Sequence, residues 1–149
     1  MDQNTLKKLT NILYKKCVEA GRSGELPIAA IIYFEKENKY YIKTNTVEKT
    51  NNPFNHAENN VISYVLKKYN TRYLPGASII CSLEPCLFCY GLIKKVNIKN
   101  IYYFSDDKDN GSISHYNLDK GSNINIYKLD DSRFDKLLTD YFRLIRDKK

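Results

Sequence analysis

The sequence is poor in several residue types and patterns that mark special classes of protein. Its 149 residues include no tryptophan, one methionine, six glycines and four prolines, with no repeat or low-complexity segment. No apolar run approaches the roughly 20 residues of a membrane-spanning helix, and the first residues lack the basic and apolar regions of a secretion signal. We therefore expect one domain over residues 1–149, in the cytoplasm and without membrane contact.

The four cysteines are not expected to form disulfides, because a chain without a secretion signal keeps its thiols reduced. Cys86 and Cys89 are close enough in sequence to favour metal binding or catalysis. Cys17 and Cys81 fall on apolar faces, where a free thiol behaves as a small buried hydrophobic group. The close pair therefore carries the chemical information.

Negatively charged residues are in the minority, and the chain has a formal net charge of +7 with a pI near 9.1. Such an excess suits an anionic partner such as a nucleic acid. The excess is mostly lysine, however, and the chain is also rich in Asn, Ile and Tyr, a mixture that AT-rich codons produce without any binding role. The charge alone leaves both interpretations open.

Residue periodicity predicts alternating helices and strands, hence an α/β chain. Thr5 is the predicted N-cap of the first helix, Gly21 its stop, and Pro85 the first residue of the third helix. A strand-helix-strand unit over residues 78–104 implies a parallel pair of strands. Helices are predicted over residues 5–20, 56–69, 85–95 and from 131 onward; strands over 28–34, 40–44, 78–82, 100–104 and 125–127; loops over 46–55 and 106–121.

A candidate metal site comes from two separated motifs, His56-Ala57-Glu58 and Pro85-Cys86-Leu87-Phe88-Cys89. A bare Cys-x-x-Cys also fits a structural zinc knuckle or a redox pair, but the second ligand pair of the former and the thioredoxin-like context of the latter are missing. One His and two Cys leave one tetrahedral position of a catalytic zinc for water.

Glu58 completes the candidate site without binding the metal. Its spacing of two from His56 turns its side chain away from that of the histidine, which suits a group that carries protons during hydrolysis. The combined pattern, His-x-Glu followed by Pro-Cys-x-x-Cys, is the signature of zinc-dependent nucleobase deaminases. Outside this pattern, Asn45 is typical of a strand end that binds local backbone, Asp107 of a solvated loop acid, and His115 of a surface residue.

Beyond the metal motif, the sequence resembles the bacterial tRNA adenosine deaminases over nearly its whole length. These enzymes convert the wobble adenosine of a tRNA anticodon to inosine. The matching stretches are Gly24-Glu25-Leu26-Pro27; Asn45 with His56-Ala57-Glu58; Leu83-Glu84-Pro85-Cys86 with Cys89 and Gly91; Asp107 with Gly111; and Leu138-Thr139-Asp140-Tyr141-Phe142-Arg143.

The resemblance implies a three-layer α/β/α fold of the cytidine deaminase type with a mixed central sheet. It implies one Zn²⁺ per chain on His56, Cys86 and Cys89, with Glu58 as the catalytic proton carrier. It also implies a tRNA anticodon stem-loop as substrate and a homodimer whose partner subunit helps to line the RNA site. The resemblance places Asn45, Ala57, Glu84, Pro85 and Asp107 against the substrate, and the C-terminal helix, with Arg143 and Arg146, near the RNA backbone.

Two other functions remain open from sequence. A zinc deaminase of a free base or nucleoside, such as guanine or cytosine, would share the metal site and need no basic surface. In that direction, Asp106 stands where the tRNA enzymes have an arginine, which removes an attraction for phosphate and adds a repulsion. A non-catalytic RNA-binding partner of an active deaminase is the other alternative, and the presence of Glu58 argues against it.

Overall fold

A mixed five-stranded sheet forms the centre of the computed structural model, which describes residues 1–148. The elements are, in chain order, α1 (Gln3–Arg22), β1 (Ala29–Phe34), β2 (Lys39–Thr44), α2 (Val47–Thr50), α3 (Ala57–Tyr69), β3 (Ala77–Leu83), α4 (Leu87–Lys95), β4 (Asn100–Ser105), β5 (Asn125–Lys128) and α5 (Ser132–Asp147). The strand order across the sheet is β2-β1-β3-β4-β5.

One strand, β1, runs opposite to the other four strands of the sheet. It is antiparallel to both β2 and β3, and it forms a hairpin with β2. β3, β4 and β5 run parallel, which confirms the strand-helix-strand unit through α4. All residues of β1 except Phe34 are buried, because helices cover both faces of this interior strand.

The helices form an outer layer on each face of the sheet. α3 and α4 bury Val61 and Ile93 against one face, whereas α1 and α5 bury Leu13 and Phe134 against the other. This arrangement confirms the three-layer α/β/α class with a mixed sheet. The apolar side chains of α5 pack on the sheet only near the start of the helix, since Phe134 is buried whereas Leu144 is 61% exposed. Within residues 1–148, no helix has the length and apolar character needed to cross a membrane.

Several predicted boundaries are wrong, each for a local reason. Asp2 caps α1 by accepting a hydrogen bond from the Thr5 N–H at 2.8 Å, so Thr5 lies inside the helix. The helix also continues through Gly21 to Arg22. Pro85 precedes α4 rather than opening it, because Cys86 is the N-cap. The predicted loop 46–55 contains the single turn of α2, which is too short to show periodicity.

Asparagine takes the place that glycine often has at tight turns. Asn38, Asn51, Asn70, Asn97 and Asn117 all have positive φ, between 49° and 65°. Asn38 lies in the turn between β1 and β2, and Asn51 and Asn70 end α2 and α3. Asparagine tolerates this left-handed conformation better than most residues with a Cβ.

Candidate active site

Two helix N-termini meet beside the end of β3. His56 is the N-cap of α3, and Cys86 is the N-cap of α4 with Cys89 in the first turn. The Cys86 sulfur accepts a hydrogen bond from the Cys89 N–H at 3.5 Å, which is how this helix begins. Helix N-termini favour negatively charged groups, so Cys86 at the N-cap lies where the thiolate form is stabilised.

The side chains of His56, Cys86 and Cys89 converge as a candidate metal site, with their ligand atoms within 4.8 Å of one another. His56 Nδ1 lies 3.6 Å from Cys86 Sγ and 3.4 Å from Cys89 Sγ. Tetrahedral zinc, with Zn–N of about 2.0 Å and Zn–S of about 2.3 Å, requires an N···S separation of about 3.5 Å. The donor set and its spacing therefore fit zinc, as the sequence predicts.

The two thiols differ in acidity because they share a proton. A hydrogen bond from the Cys89 thiol, aided by the His56 ring, lowers the pKa of Cys86 to about 4. The pKa of Cys89 is raised in turn, since this thiol is the donor to Cys86 and is also buried. The hydrogen bond to Cys86 raises the pKa of His56. A cation at this position replaces the shared proton and holds both sulfurs as thiolates.

Glu58 lies in the first turn of α3 and is 4% exposed. Burial raises the pKa of this carboxyl group to about 7, although contacts with Cys89 and His56 lower it in part. A carboxyl group with a pKa near neutrality can accept a proton in one step and return it in the next. The site thus places a proton carrier beside a metal without using it as a ligand.

A pocket of about 270 Å³ opens onto these residues. Of the residues predicted to contact substrate, Asn45, Ala57, Glu84 and Asp107 line it, and Pro85 does not. Sequence reasoning missed the part of the lining formed by α2 and the segment before β1, for which only Gly24-Glu25-Leu26-Pro27 was a signal. The complete lining is Leu26, Ile28, Asn45, Val47, Glu48, Pro53, His56, Ala57, Glu58, Leu83, Glu84, Cys86 and Asp107.

A second, wider groove of about 730 Å³ adjoins the pocket, sharing Leu26, Ile28, Leu83 and Asp107 with it. Helix α5 reaches this groove through Asp135, Leu138, Thr139 and Phe142. Arg143 and Arg146 are exposed on the same helix but line neither cavity.

Asn45 follows β2 and Asp107 follows β4, and both residues line the pocket. Asn45 is 3% exposed, and its Oδ1 accepts a hydrogen bond from the Val47 N–H at 3.2 Å. Asp107 is partly exposed, and its Oδ1 accepts one from the Asn110 N–H at 3.2 Å. Each side chain therefore orders its own loop and also faces the cavity. His115 is exposed outside the pocket, as predicted.

Comparison with known proteins agrees with this geometry. Residues 3–105, more than half of the chain, match the model of the cytidine and deoxycytidylate deaminase zinc-binding region. A tRNA-specific adenosine deaminase of Aquifex aeolicus is 31% identical over 144 residues, covering 91% of this chain and 93% of the relative. A relative of the same name from Rickettsia bellii is 28% identical over 100 residues, 66% and 69% of the two chains.

Solved structures show the same fold. A structure from a study of tRNA:A34 deaminases aligns with a TM-score of 0.79 at 22% identity, over 89% of this chain and 99% of the other. A guanine deaminase of Bacillus subtilis aligns with a TM-score of 0.65 at 21% identity, over 96% and 95%. With the zinc ligands and buried Glu58 in place, the chain belongs to the cytidine and deoxycytidylate deaminase family of zinc enzymes.

Proposed function

We propose that this protein is a tRNA adenosine deaminase, which hydrolyses the wobble adenosine of an anticodon to inosine and ammonia. The observation that carries the proposal is the 31% identity to the Aquifex aeolicus tRNA-specific adenosine deaminase over almost the full length of both chains. A tRNA-modifying enzyme works where tRNA is found, and we expect the protein in the cytoplasm.

The pocket has the size of a site for a single base. An adenosine within an anticodon loop must therefore leave its stack to reach the metal, as in other enzymes that act on bases. In our proposal, Asn45 binds the base and Asp107 contacts the nucleotide. The apolar Leu26 and Ile28 also line the cavity and exclude water from the base.

Zinc held by His56, Cys86 and Cys89 would lower the pKa of a bound water towards neutrality and so supply the nucleophile of the hydrolysis. Glu58 would accept a proton from the attacking water and deliver it to N1 of the purine as the C6–O bond forms. It then carries the second proton to the exocyclic nitrogen, and the C6–N bond breaks with release of ammonia. Burial prepares Glu58 for both steps by raising its pKa to about 7.

The net positive charge of the chain supports an RNA substrate. Asp106, which stands where the tRNA enzymes have an arginine, is partly neutralised by a lysine. Asp106 lies 3.7 Å from Lys128 Nζ, so it does not present an isolated negative charge to phosphate. Arg143 and Arg146, exposed on α5, remain available to the RNA backbone. We expect activity on RNA to fall as salt rises, because phosphate contacts release counterions.

The proposal includes a homodimer formed over an apolar patch of Phe54, Leu87 and Phe88. These side chains are 60%, 49% and 41% exposed. The Phe88 ring centroid lies 5.4 Å from that of Phe54 and 6.5 Å from that of His56, so a second copy seated here would border the metal site. Changing Phe54 and Phe88 to serine should shift the mass in light scattering to that of a monomer. Tyr73→Ser, at an exposed position in the segment between α3 and β3, is the matched control.

The proposed activity is tested with the zinc-loaded protein and an anticodon stem-loop carrying wobble adenosine. Nucleosides from the digested RNA should contain inosine, and the Glu58→Gln protein should produce almost none. Guanine and cytosine are incubated in parallel under the same conditions. Ammonia from a free base alone, with no inosine in the RNA, would replace this proposal with the free-base alternative.

A further inference from the structure

The carboxylate of Glu84 is 2% exposed and is surrounded by hydrogen-bond donors from the loop after β4. Its Oε1 accepts from the Asp107 N–H at 3.0 Å and from the Ser114 hydroxyl at 2.6 Å. Its Oε2 accepts from the N–H groups of Ile113 and Ser114, both at 2.7 Å. The glutamate that precedes the metal-binding turn therefore organises the loop that carries Asp107.

This loop wraps so closely around the carboxylate that a side chain at Gly111 is excluded. A Cβ there would lie 2.4 Å from Glu84 Oε2 and 2.4 Å from the Asp107 carbonyl oxygen. The loop is also tied to the metal-binding turn itself, because the Ser112 hydroxyl and N–H donate to the Pro85 carbonyl at 2.6 and 2.9 Å. The loop that forms this wall of the pocket is therefore held by its contacts with Glu84 and with the metal-binding turn.

Glu25 has a comparable role for another part of the pocket lining. It is 4% exposed, and its carboxylate oxygens accept hydrogen bonds from the Glu48 N–H at 3.0 Å and the Lys49 N–H at 2.6 Å. These donors belong to α2, which brings Val47 and Glu48 to the pocket lining. Two buried carboxylates therefore hold two walls of the pocket, the loop after β4 and the single turn of α2.

Neither carboxylate is neutralised by a basic side chain. Among residues 1–148, no Lys, Arg or His nitrogen lies within 4.0 Å of Glu25 or Glu84. A buried carboxylate without a cation is tolerated only when its oxygens are hydrogen-bonded, and bonds from N–H groups to an ionised oxygen are stronger than those to a neutral one. The walls supply those donors, so each wall and its carboxylate stabilise one another.

We propose that Glu84 and Glu25 are positioning residues that set the distance between the two walls of the pocket and thereby hold the base against the metal and Glu58. The sequence resemblance places Glu84 against substrate, but both of its oxygens are engaged by the loop. A displacement of about 1 Å at a reacting centre lowers rates by about a hundredfold. The proposal rests on the proposed function only where turnover is measured.

Hydrogen exchange tests the proposal without any substrate. Glutamine keeps the volume of glutamate but turns an NH₂ group towards N–H donors. In zinc-loaded Glu84→Gln we expect the amides of Asp107, Ile113 and Ser114 to exchange about ten to a hundred times faster. In Glu25→Gln the same acceleration should appear at Glu48 and Lys49 instead, and exposed Glu37→Gln should change neither wall.

Two results in exchange would overturn the proposal. If the amides that donate to the substituted carboxylate exchange at the wild-type rate, the carboxylate does not hold its wall. If protection is lost throughout β1 and β3 as well, the carboxylates stabilise the whole fold and do not position the walls. Should Glu84→Gln fail to fold, Ser114→Ala removes the hydroxyl that contacts Glu84 Oε1 at 2.6 Å and the Asp107 carbonyl oxygen at 3.0 Å. It should accelerate exchange by a smaller factor at Ile113, whose N–H donates to Glu84 and does not contact this hydroxyl, and no acceleration there would also contradict the proposal.

Kinetics on the anticodon stem-loop give the second readout. Each Gln variant should retain one zinc per chain and lose about tenfold to a hundredfold in kcat/KM. Glu84→Gln and Asp107→Asn should be less than additive, because they act through one wall, whereas Glu25→Gln and Asp107→Asn should be additive. Full additivity in both pairs would contradict the proposal. A wild-type protein inactive on RNA would refute the proposed function and leave the exchange result standing.

Discussion

The metal centre and the pocket walls are built in different ways, although they meet in one cavity. The metal centre uses short motifs at the starts of two regular helices, and its three ligands need only those helices to be packed side by side. The walls are a loop and the single turn of α2, held by buried carboxylates that lie 23 to 30 residues away in sequence. The two packed helices therefore determine the geometry of the metal centre, whereas the position of the substrate depends on the contacts between the walls and their buried carboxylates.

The largest effect should come from breaking the metal centre itself. Cys86→Ala removes one of three ligands, and we expect loss of bound zinc with activity below detection. Zinc content by mass spectrometry and inosine formation measure the two outcomes. Cys17→Ala is the matched control, because this thiol is buried against the other face of the sheet. Equal zinc in the Cys86→Ala and wild-type proteins would place the metal elsewhere.

Glu58→Gln should separate proton transfer from metal binding. The amide keeps the shape of the buried side chain but cannot accept and return a proton, so we expect turnover to fall about 10²- to 10⁴-fold. Zinc should remain at one per chain, because Glu58 is outside the ligand set. Single-turnover rates on the stem-loop measure the effect. A variant within a few-fold of wild type would remove Glu58 from the mechanism.

Asp107→Asn should affect a wall and leave the metal centre intact. Loss of a charged contact to the substrate costs about 1.5 kcal/mol, which corresponds to roughly tenfold in kcat/KM. The neutral side chain keeps the acceptor for the Asn110 N–H, so the loop itself should persist. An unchanged kcat/KM for the stem-loop would exclude Asp107 from substrate binding.

The smallest perturbation is chemical labelling of thiols after zinc has been removed with a chelator. Cys86 is half-buried with a pKa lowered to about 4, so it should react with iodoacetamide as a thiolate. Cys17 and Cys81 should not react, because burial raises the pKa of both, that of Cys17 to about 11. Peptide mapping identifies the labelled residue. Equal labelling of Cys17 would show that the core opens together with the metal centre.

Sequence patterns were sufficient for the metal centre and insufficient for the walls. His56, Glu58, Cys86 and Cys89 could be predicted because each motif is local and sits at the start of a helix. The interior strand β1 could be predicted from its continuous apolar run. Periodicity does not indicate which distant N–H groups donate to a buried carboxylate, so the contacts of Glu84 could not be predicted from sequence. The same applies to α2, whose single turn is held in place by Glu25.

The asparagines with positive φ indicate positions at which the sequence can change without a change of fold. At such a position glycine avoids a backbone penalty of about 1–2 kcal/mol that most L residues meet, but it loses about 0.5–1 kcal/mol of conformational entropy on folding. Because asparagine tolerates the left-handed region, its backbone penalty is small and is nearly offset by the conformational entropy that glycine would lose. Exchange between asparagine and glycine at Asn51, Asn70, Asn97 and Asn117 is therefore close to neutral, and a relative rich in glycine at these turns can share the same backbone. Asn38 differs, because its Oδ1 accepts a hydrogen bond from the Tyr33 hydroxyl at 3.0 Å that glycine would remove.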